Sequence, residues 1–281
     1  RDRLRSRGLG DVYKRQLLNR VLHDDASHFV AVYGRRRVGK TFLIRETFGY
    51  RFTFQHAGLS EGNMKEQLFA FTASLKDAGF LVKNKPKNWF EAFEELKDLI
   101  RQSNEKRKVI FIDELSWMDT QKSDLMMALE NFWNSFASAR KDIVLIVCAS
   151  ATSWMLSKVV HNKGGLYNRL TEQINLHTFS LHECEEYVQA MGLALNREQI
   201  LQYYMIFGGV PFYWSFLKKG LSLPQNIDAI LFAKEAPLRE EFKYLYASVF
   251  KKPDTYVKII ETLGAKKVGT VSYTHLTLPT N

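Results

Sequence analysis

Three features of the sequence predict an α/β fold: a three-layer core on a parallel sheet, followed by an all-helical module. The first is an apolar run, Phe29 to Tyr33, that breaks into Gly34-x-x-x-x-Gly39-Lys40-Thr41 and resumes with a helical pattern. The second is KVIFIDE, Lys108 to Glu114, whose four apolar residues end in two carboxylates. The third is a change of period, because strand-like runs stop near His177 and the pattern from Ser180 onward is wholly helical. Runs that are apolar throughout, without alternation, describe strands buried on both faces, as parallel sheets require.

The chain has 281 residues, of which 46% are hydrophobic, enough for one large domain and a smaller one around a sizeable core. Its longest wholly apolar run, Ile143 to Ala149, is far too short to cross a bilayer, and no secretory pattern opens the sequence. Cytoplasm is therefore the expected location, with no membrane partner. Cys148 and Cys184 lack metal-ligand spacing, and Cys148 falls in an expected buried strand, where it reads as a small apolar residue. Both ends differ in pattern from what lies between and resemble translated adaptor sequence, so 1–16 is expected to be a non-native leader and 270–281 a non-native tail. The formal charge is +10, and without the six Lys/Arg and two Asp of 1–16 it is +6, a basic surplus that permits contact with nucleic acid.

Leu17 to Leu22 reads as the end of a helix, and Arg51 to Gln55 as a short strand. Capping boxes open helices at Asn63 with Glu66 and at Asn88 with Glu91; the first runs to Ala78 and stops at Gly79. A helix from Ser123 to Phe136 feeds a buried strand, Asp142 to Ala149, and the last strand is expected at Gln173 to His177. Beyond it, Ser180 with Glu183 and Asn196 with Gln199 repeat the capping box, Gly192 and Gly208 stop their helices, and Pro211 suits a first helical position. Further helices are expected at Asn226 to Ala233, Leu238 to Phe250 and Thr255 to Leu263.

The spacing Gly34-x-x-x-x-Gly39-Lys40-Thr41 is that of a P-loop. Glycines let the backbone curl until successive N–H groups face a phosphate, Lys40 reaches the β- and γ-phosphates, and Thr41 ligates magnesium. The expected ATP-binding set is Gly34, Val38, Gly39, Lys40, Thr41 and Phe42, with Lys40 exposed in the empty loop. Asp113 and Glu114 stand at the C-terminal edge of their strand, where ligands of open α/β sheets bind. Asp113 would join Thr41 in holding Mg²⁺, and Glu114 would orient and deprotonate the attacking water. A solvated strand end is the alternative for the acid pair. Ser150, at the tip of the next strand, is placed either to touch the γ-phosphate or the water, or beside a turn that Thr152 or Ser153 caps. Arg169 is either a surface cation or, if something sets it against a phosphate, a catalytic arginine.

Taken together, GRRRVGKT, VIFIDE, ASATSW, YNRL and GGVPFY resemble the prokaryotic ATPases related to the AAA+ and STAND groups, often fused to a winged helix and a nuclease-like domain. The resemblance covers about residues 17–268. It implies a P-loop ATPase core at 17–179, a helical lid at 180–250 and the start of a truncated winged helix at 251–269. It also implies that Ser150 is a first sensor, that Arg169 is an arginine finger or sensor, and that Pro211 of the lid's Gly-x-Pro turn packs near adenine. The family's Gly-Arg pair ahead of the first strand has no counterpart in 1–16. A GTPase would need Asn-Lys-x-Asp, and Asn162-Lys163-Gly164-Gly165 lacks the aspartate. The expected activity is that of an Mg²⁺-dependent ATPase switch. DNA, through a C-terminal region beyond this chain, and a second copy of the chain are the expected macromolecular partners. A regulatory or DNA-binding module with a structural, scarcely hydrolysed nucleotide is the alternative.

Overall fold

The computed structural model describes residues 9–249 and 253–265. The chain runs α1 (Leu9–His23), β1 (His28–Tyr33), α2 (Lys40–Thr47), β2 (Phe54–Ala57), α3 (Met64–Asp77), α4 (Trp89–Gln102), β3 (Lys108–Asp113), α5 (Leu115–Met118), α6 (Leu125–Phe132) and β4 (Ile143–Ala149). It continues through α7 (Thr152–Met155), β5 (Glu172–Asn175), α8 (Leu181–Ala190), α9 (Arg197–Phe207), α10 (Pro211–Trp214), α11 (Leu223–Ile227), α12 (Glu241–Val249) and α13 (Pro253–Ala265). Two compact units divide it, one up to Ser215 and one from Phe216 on. Among the described residues no helix is long and apolar enough to cross a membrane.

The five strands pair in parallel in the order β2-β3-β4-β1-β5. Strand periodicity sorts their side chains into two cores. Phe29, Ala31, Ile110, Ile112, Leu145 and Val147 pack with Phe71 of α3, Phe93 of α4 and Leu129 of α6. Val30, Val32, Val109, Phe111, Val144 and Ile146 face the other way, onto Leu18 and Val21 of α1 and Leu43 and Ile44 of α2. This is the three-layer α/β arrangement expected from the apolar runs, and both faces of β4 are buried because helices cover both.

Several boundaries differ from the sequence reading. The first edge strand lies later than Arg51 to Gln55, at Phe54–Ala57, because Thr53 closes the start of the ladder: its N–H donates to Val109 O at 2.9 Å and its Oγ1 accepts from Val109 N at 3.0 Å. The last strand ends at Asn175, before His177: Leu176 N still donates to Tyr33 O at 2.7 Å, but Tyr33 is the final residue of β1, so the ladder has no partner beyond it. Asn88 makes only half a capping box: its Oδ1 accepts from Glu91 N at 2.9 Å, while Glu91 reaches back to Lys87 N at 2.8 Å. The helix expected from Ser123 starts at Leu125 and loosens after Phe132 into a π-helical turn, Trp133–Ala137. Ser222 with Gln225 opens α11 three residues ahead of Asn226, and α12 starts at Glu241. The helix expected at Thr255 to Leu263 is α13, Pro253–Ala265. Residues 1–8, 250–252 and 266–281 lie outside the described residues, and with them the first part of the expected leader and all of the expected tail, whereas 9–16 belong to α1.

One buried polar group makes this core sensitive to acid. His56 on β2 is 2% exposed between Phe54 and Phe71, with Nδ1 at 2.9 Å from Ser74 Oγ and, among the described residues, no hydrogen-bond partner for Nε2. Burial pulls its pKa from 6.5 down to about 4. The unfolded chain therefore binds a proton that the folded protein refuses, so stability is fully present above about pH 6.5 and is lost as pH falls towards 4. The linkage amounts to about 3 kcal/mol at most. Asp142, whose carboxyl Arg140 and then Lys108 hold down at about 2, titrates below this window. Urea unfolding of wild type and His56→Leu at pH 7 and pH 4.5 is expected to show the loss of stability in the wild type and a flatter response in the variant. Equal pH dependence in both would show that His56 is not the titrating group.

Candidate active site

The site forms where β1, β3 and β4 end side by side. The order β2-β3-β4-β1-β5 puts β4 between the two motif-bearing strands, with Tyr33 opposite Ala149 and Ile112 opposite Val147. Ser150 thus emerges between the P-loop and the acid pair. The loop leaves β1 through Gly34 at φ 146°, where a Cβ would lie 2.1 Å from Leu176 O, so glycine alone fits. It re-enters helical geometry at Gly39, φ 94°, whose carbonyl accepts from Leu43 N at 2.8 Å as the first bond of α2.

Lys40 is 5% exposed, which corrects the expectation of an exposed side chain. Its ammonium folds back onto its own loop and donates to Gly34 O at 2.9 Å, Arg35 O at 3.0 Å and Ser150 Oγ at 3.0 Å. Three donors meet three acceptors, which is why a buried lysine is tolerated here. Beside it, Thr41 Oγ1 donates to Asp113 Oδ2 at 2.6 Å, and Asp113 Oδ1 accepts from Glu114 N at 3.0 Å. Asp113 is buried, so it meets the site through Thr41, whereas Glu114 lines the cleft itself. Glu114 sits at φ 48°, in the left-handed region, which ends β3 and turns its carboxylate towards Ser150. Its Oε2 accepts from Ser150 N at 3.1 Å and its Oε1 from Ser150 Oγ. The buried Cys148 thiol lies near this group, and burial, then the Asp113 carboxylate, raise its pKa well above the usual thiol range.

A cleft opens over these groups, lined by Arg36, Arg37, Val38, Gly39, Lys40, Thr41, Phe42, Leu43, Glu114, Ser150, Pro211 and Phe212. Of the residues expected to bind ATP, Val38, Gly39, Lys40, Thr41, Phe42 and Pro211 meet here, with Gly34 beneath as an acceptor of Lys40. Pro211 is buried at the first position of α10. Arg169 is not brought to the cleft. It is exposed in the turn before β5, where its backbone N–H donates to Leu166 O at 3.1 Å. Ser150 is not a cap either, and α7 starts without a side-chain cap bond from Thr152 or Ser153. The sequence reading missed Arg37 and Phe212. Arg37, at φ 70° in the loop, stacks its guanidinium 4.5 Å from the Phe212 ring centroid. The run of three arginines inside the loop and the aromatic residue after Pro211 were the available signals.

Comparison with known proteins fits this geometry. Residues 16–214 match the model of an ATPase domain found predominantly in Archaea. An uncharacterized protein of Methanocaldococcus jannaschii, MJECL04, is 25% identical over 247 residues, covering 88% of this chain and 52% of that protein. The chain thus spans about half the length of this curated relative. Among solved structures, the Walker-type ATPase PABY2304 of Pyrococcus abyssi superposes with a TM-score of 0.56 at 14% identity, over 84% of this chain and 75% of its own, which is a likeness of fold. The ORC2 protein of Aeropyrum pernix, in ADPNP–ADP complexes, has a TM-score of 0.48 at 16% identity, over 74% of this chain and 59% of its own. The matched segment runs from α1 to Trp214 and contains every residue of the cleft, so the chain belongs to the family of P-loop ATPase domains found predominantly in Archaea.

Proposed function

We propose that the chain binds ATP with Mg²⁺ and hydrolyses it as a switch ATPase of AAA+/STAND type. One observation carries the reading: Lys40, the Thr41–Asp113 pair and Glu114 converge on a single cleft. The Thr41 hydroxyl and the Asp113 carboxylate, already 2.6 Å apart, are the hard oxygen donors that would hold Mg²⁺ together with phosphate oxygens. The ion supplies neutralisation of charge on the phosphates. Lys40 exchanges acceptors of the free protein, Ser150 Oγ among them, for phosphate oxygens, the amides at the start of α2 face the same anion, and Glu114 orients and deprotonates the attacking water. Ser150 serves as the first sensor and Pro211 lies beside the base. Arg169, outside the cleft, completes a site only by addressing a neighbouring copy or after closure of its own.

In the same reading, residues 17–179 are the ATPase core, 180–250 a lid and 251–269 the start of a winged helix. DNA as a partner of the longer protein is supported by the basic surplus and by that winged-helix reading. A cytoplasmic location is part of the same proposal.

Three outcomes test the assignment. Lys40→Ala is expected to weaken Mg·ATP binding by a hundredfold or more, roughly the worth of two charge-assisted hydrogen bonds, as read by calorimetric titration. Near-wild-type affinity would sink the P-loop reading, and because Lys40 is buried a melting curve accompanies the titration. Glu114→Gln is expected to keep ATP bound while phosphate release drops by about 10² to 10⁴. Turnover at the parent rate, or a wild type with negligible turnover with and without DNA, would favour the structural-nucleotide module. Arg169→Ala is expected to leave ATP affinity within a few-fold, while a finger's loss lowers turnover by about 10³ to 10⁵. Wild-type specific activity that rises with concentration, and partial rescue on mixing with the Lys40 variant, would assign the finger to a neighbour. An unchanged rate would make Arg169 a surface cation.

A further inference from the structure

Ser150 stands between the two most important charges of the cleft as both acceptor and donor. Lys40 Nζ donates to Ser150 Oγ at 3.0 Å, and that hydroxyl donates onward to Glu114 Oε1. A hydroxyl has one proton, so accepting from the ammonium commits that proton to the carboxylate. The backbone N–H of Ser150 holds the other oxygen, Glu114 Oε2, at 3.1 Å. The two segments are tied again further along, where Trp154 Nε1 donates to Asp119 Oδ2 at 2.9 Å. Ser150 therefore cannot drift from Glu114 while α5 and α7 keep their places.

From this geometry we infer that Ser150 is a positioning residue with two opposed effects: its hydroxyl competes with phosphate for Lys40, and it keeps the Glu114 carboxylate aligned. The inference rests on the nucleotide reading above and extends it to how the site trades affinity against turnover. Phosphate wins the competition, since a bond between two charged groups is roughly twice as strong as one to a neutral hydroxyl. Yet the exchange gives up a hydrogen bond that the free protein already has. Without the hydroxyl, the buried ammonium keeps only Gly34 O and Arg35 O in the free state, whereas the bound state loses nothing on that side. Nucleotide binding should tighten. The same change strips Glu114 Oε1 of its donor and leaves the carboxylate held through one oxygen. Turnover should fall.

The test is Ser150→Ala in the full chain, with Mg·ADP and a non-hydrolysable Mg·ATP analogue titrated by calorimetry and phosphate release measured in parallel. Affinity for ADP is expected to rise about three- to tenfold, the worth of one neutral hydrogen bond, while kcat falls. Ser150→Thr, which keeps the hydroxyl, restores both values. Ser150→Cys, with a weaker acceptor and donor, shifts both in the same senses by less, and it carries the test if the alanine variant does not fold. A residue that acts only by touching the transferred phosphate gives a different pattern, weaker binding of the ATP analogue and unchanged ADP affinity. That pattern, or unchanged affinity for both nucleotides, overturns the inference. Wild-type protein that binds neither nucleotide overturns the ATPase reading and this inference together, whereas binding by the wild type without tightening in the variant overturns the inference alone.

Discussion

An ammonium group at the depth of Lys40 needs an acceptor for each of its three protons, and much of the surrounding architecture follows from supplying them. Two of the three are carbonyls of its own loop, Gly34 O and Arg35 O, and they point inward only because the backbone reverses through glycine at φ 146° and again at φ 94°. The third comes from a different strand. Ser150 is available because β4 lies beside β1 in the sheet, although 110 residues separate Lys40 from Ser150 along the chain. Exchange of β4 with either edge strand would leave the ammonium one acceptor short. The parallel order of the sheet is in this sense part of the lysine's hydrogen-bonding environment.

The acid pair is held with comparable care from the opposite side. Glu114 takes a left-handed backbone conformation that costs a non-glycine residue on the order of 1–3 kcal/mol, so surrounding groups must over-determine it. Gly58, after β2, lets the chain pass directly over this turn: a Cβ there would stand 2.7 Å from Glu114 O. Gln67 then fastens the loop to the acid segment. Fully buried on α3, it accepts from Leu59 N at 2.9 Å and donates to Leu59 O at 2.7 Å and Trp117 O at 3.0 Å. A polar residue with no exposure is thus explained by the carbonyls that would otherwise be unsatisfied.

How legible each part was depends on the range of the interaction that decides it. The strands β1, β3 and β4 could be read because burial on both faces demands apolar residues throughout, and KVIFID and IVLIVCA admit little else. Asn63, Ser180 and Asn196 could be read as caps because their partners lie three residues away. The edge strands were placed only approximately, since one starts where Thr53 meets Val109 and the other stops where β1 runs out at Tyr33, both far away in sequence. The same distinction runs through the site. Motif spacing located Lys40, Thr41, Asp113 and Glu114, but the burial of Lys40 depends on Ser150, and the Arg37–Phe212 contact joins a loop to a helix 175 residues later. In neither case does a local pattern say which distant residue completes the contact.

The arginines show what such long-range contacts do chemically. Arg169 is exposed on a polar turn, and any charge it lends to a reaction must first overcome solvent screening and the freedom of a long side chain. Arg37 is half-buried, and stacking on Phe212 at 4.5 Å already fixes its plane beside the cleft. A planar cation held by an aromatic face loses less entropy when it meets an anion than one waving in water. The cleft's own wall therefore carries an oriented positive charge before any closure or assembly, while the charge of Arg169 stands outside the cleft. Every residue that lines the cleft lies within the first 215, so the charges of its own wall are in place without assembly.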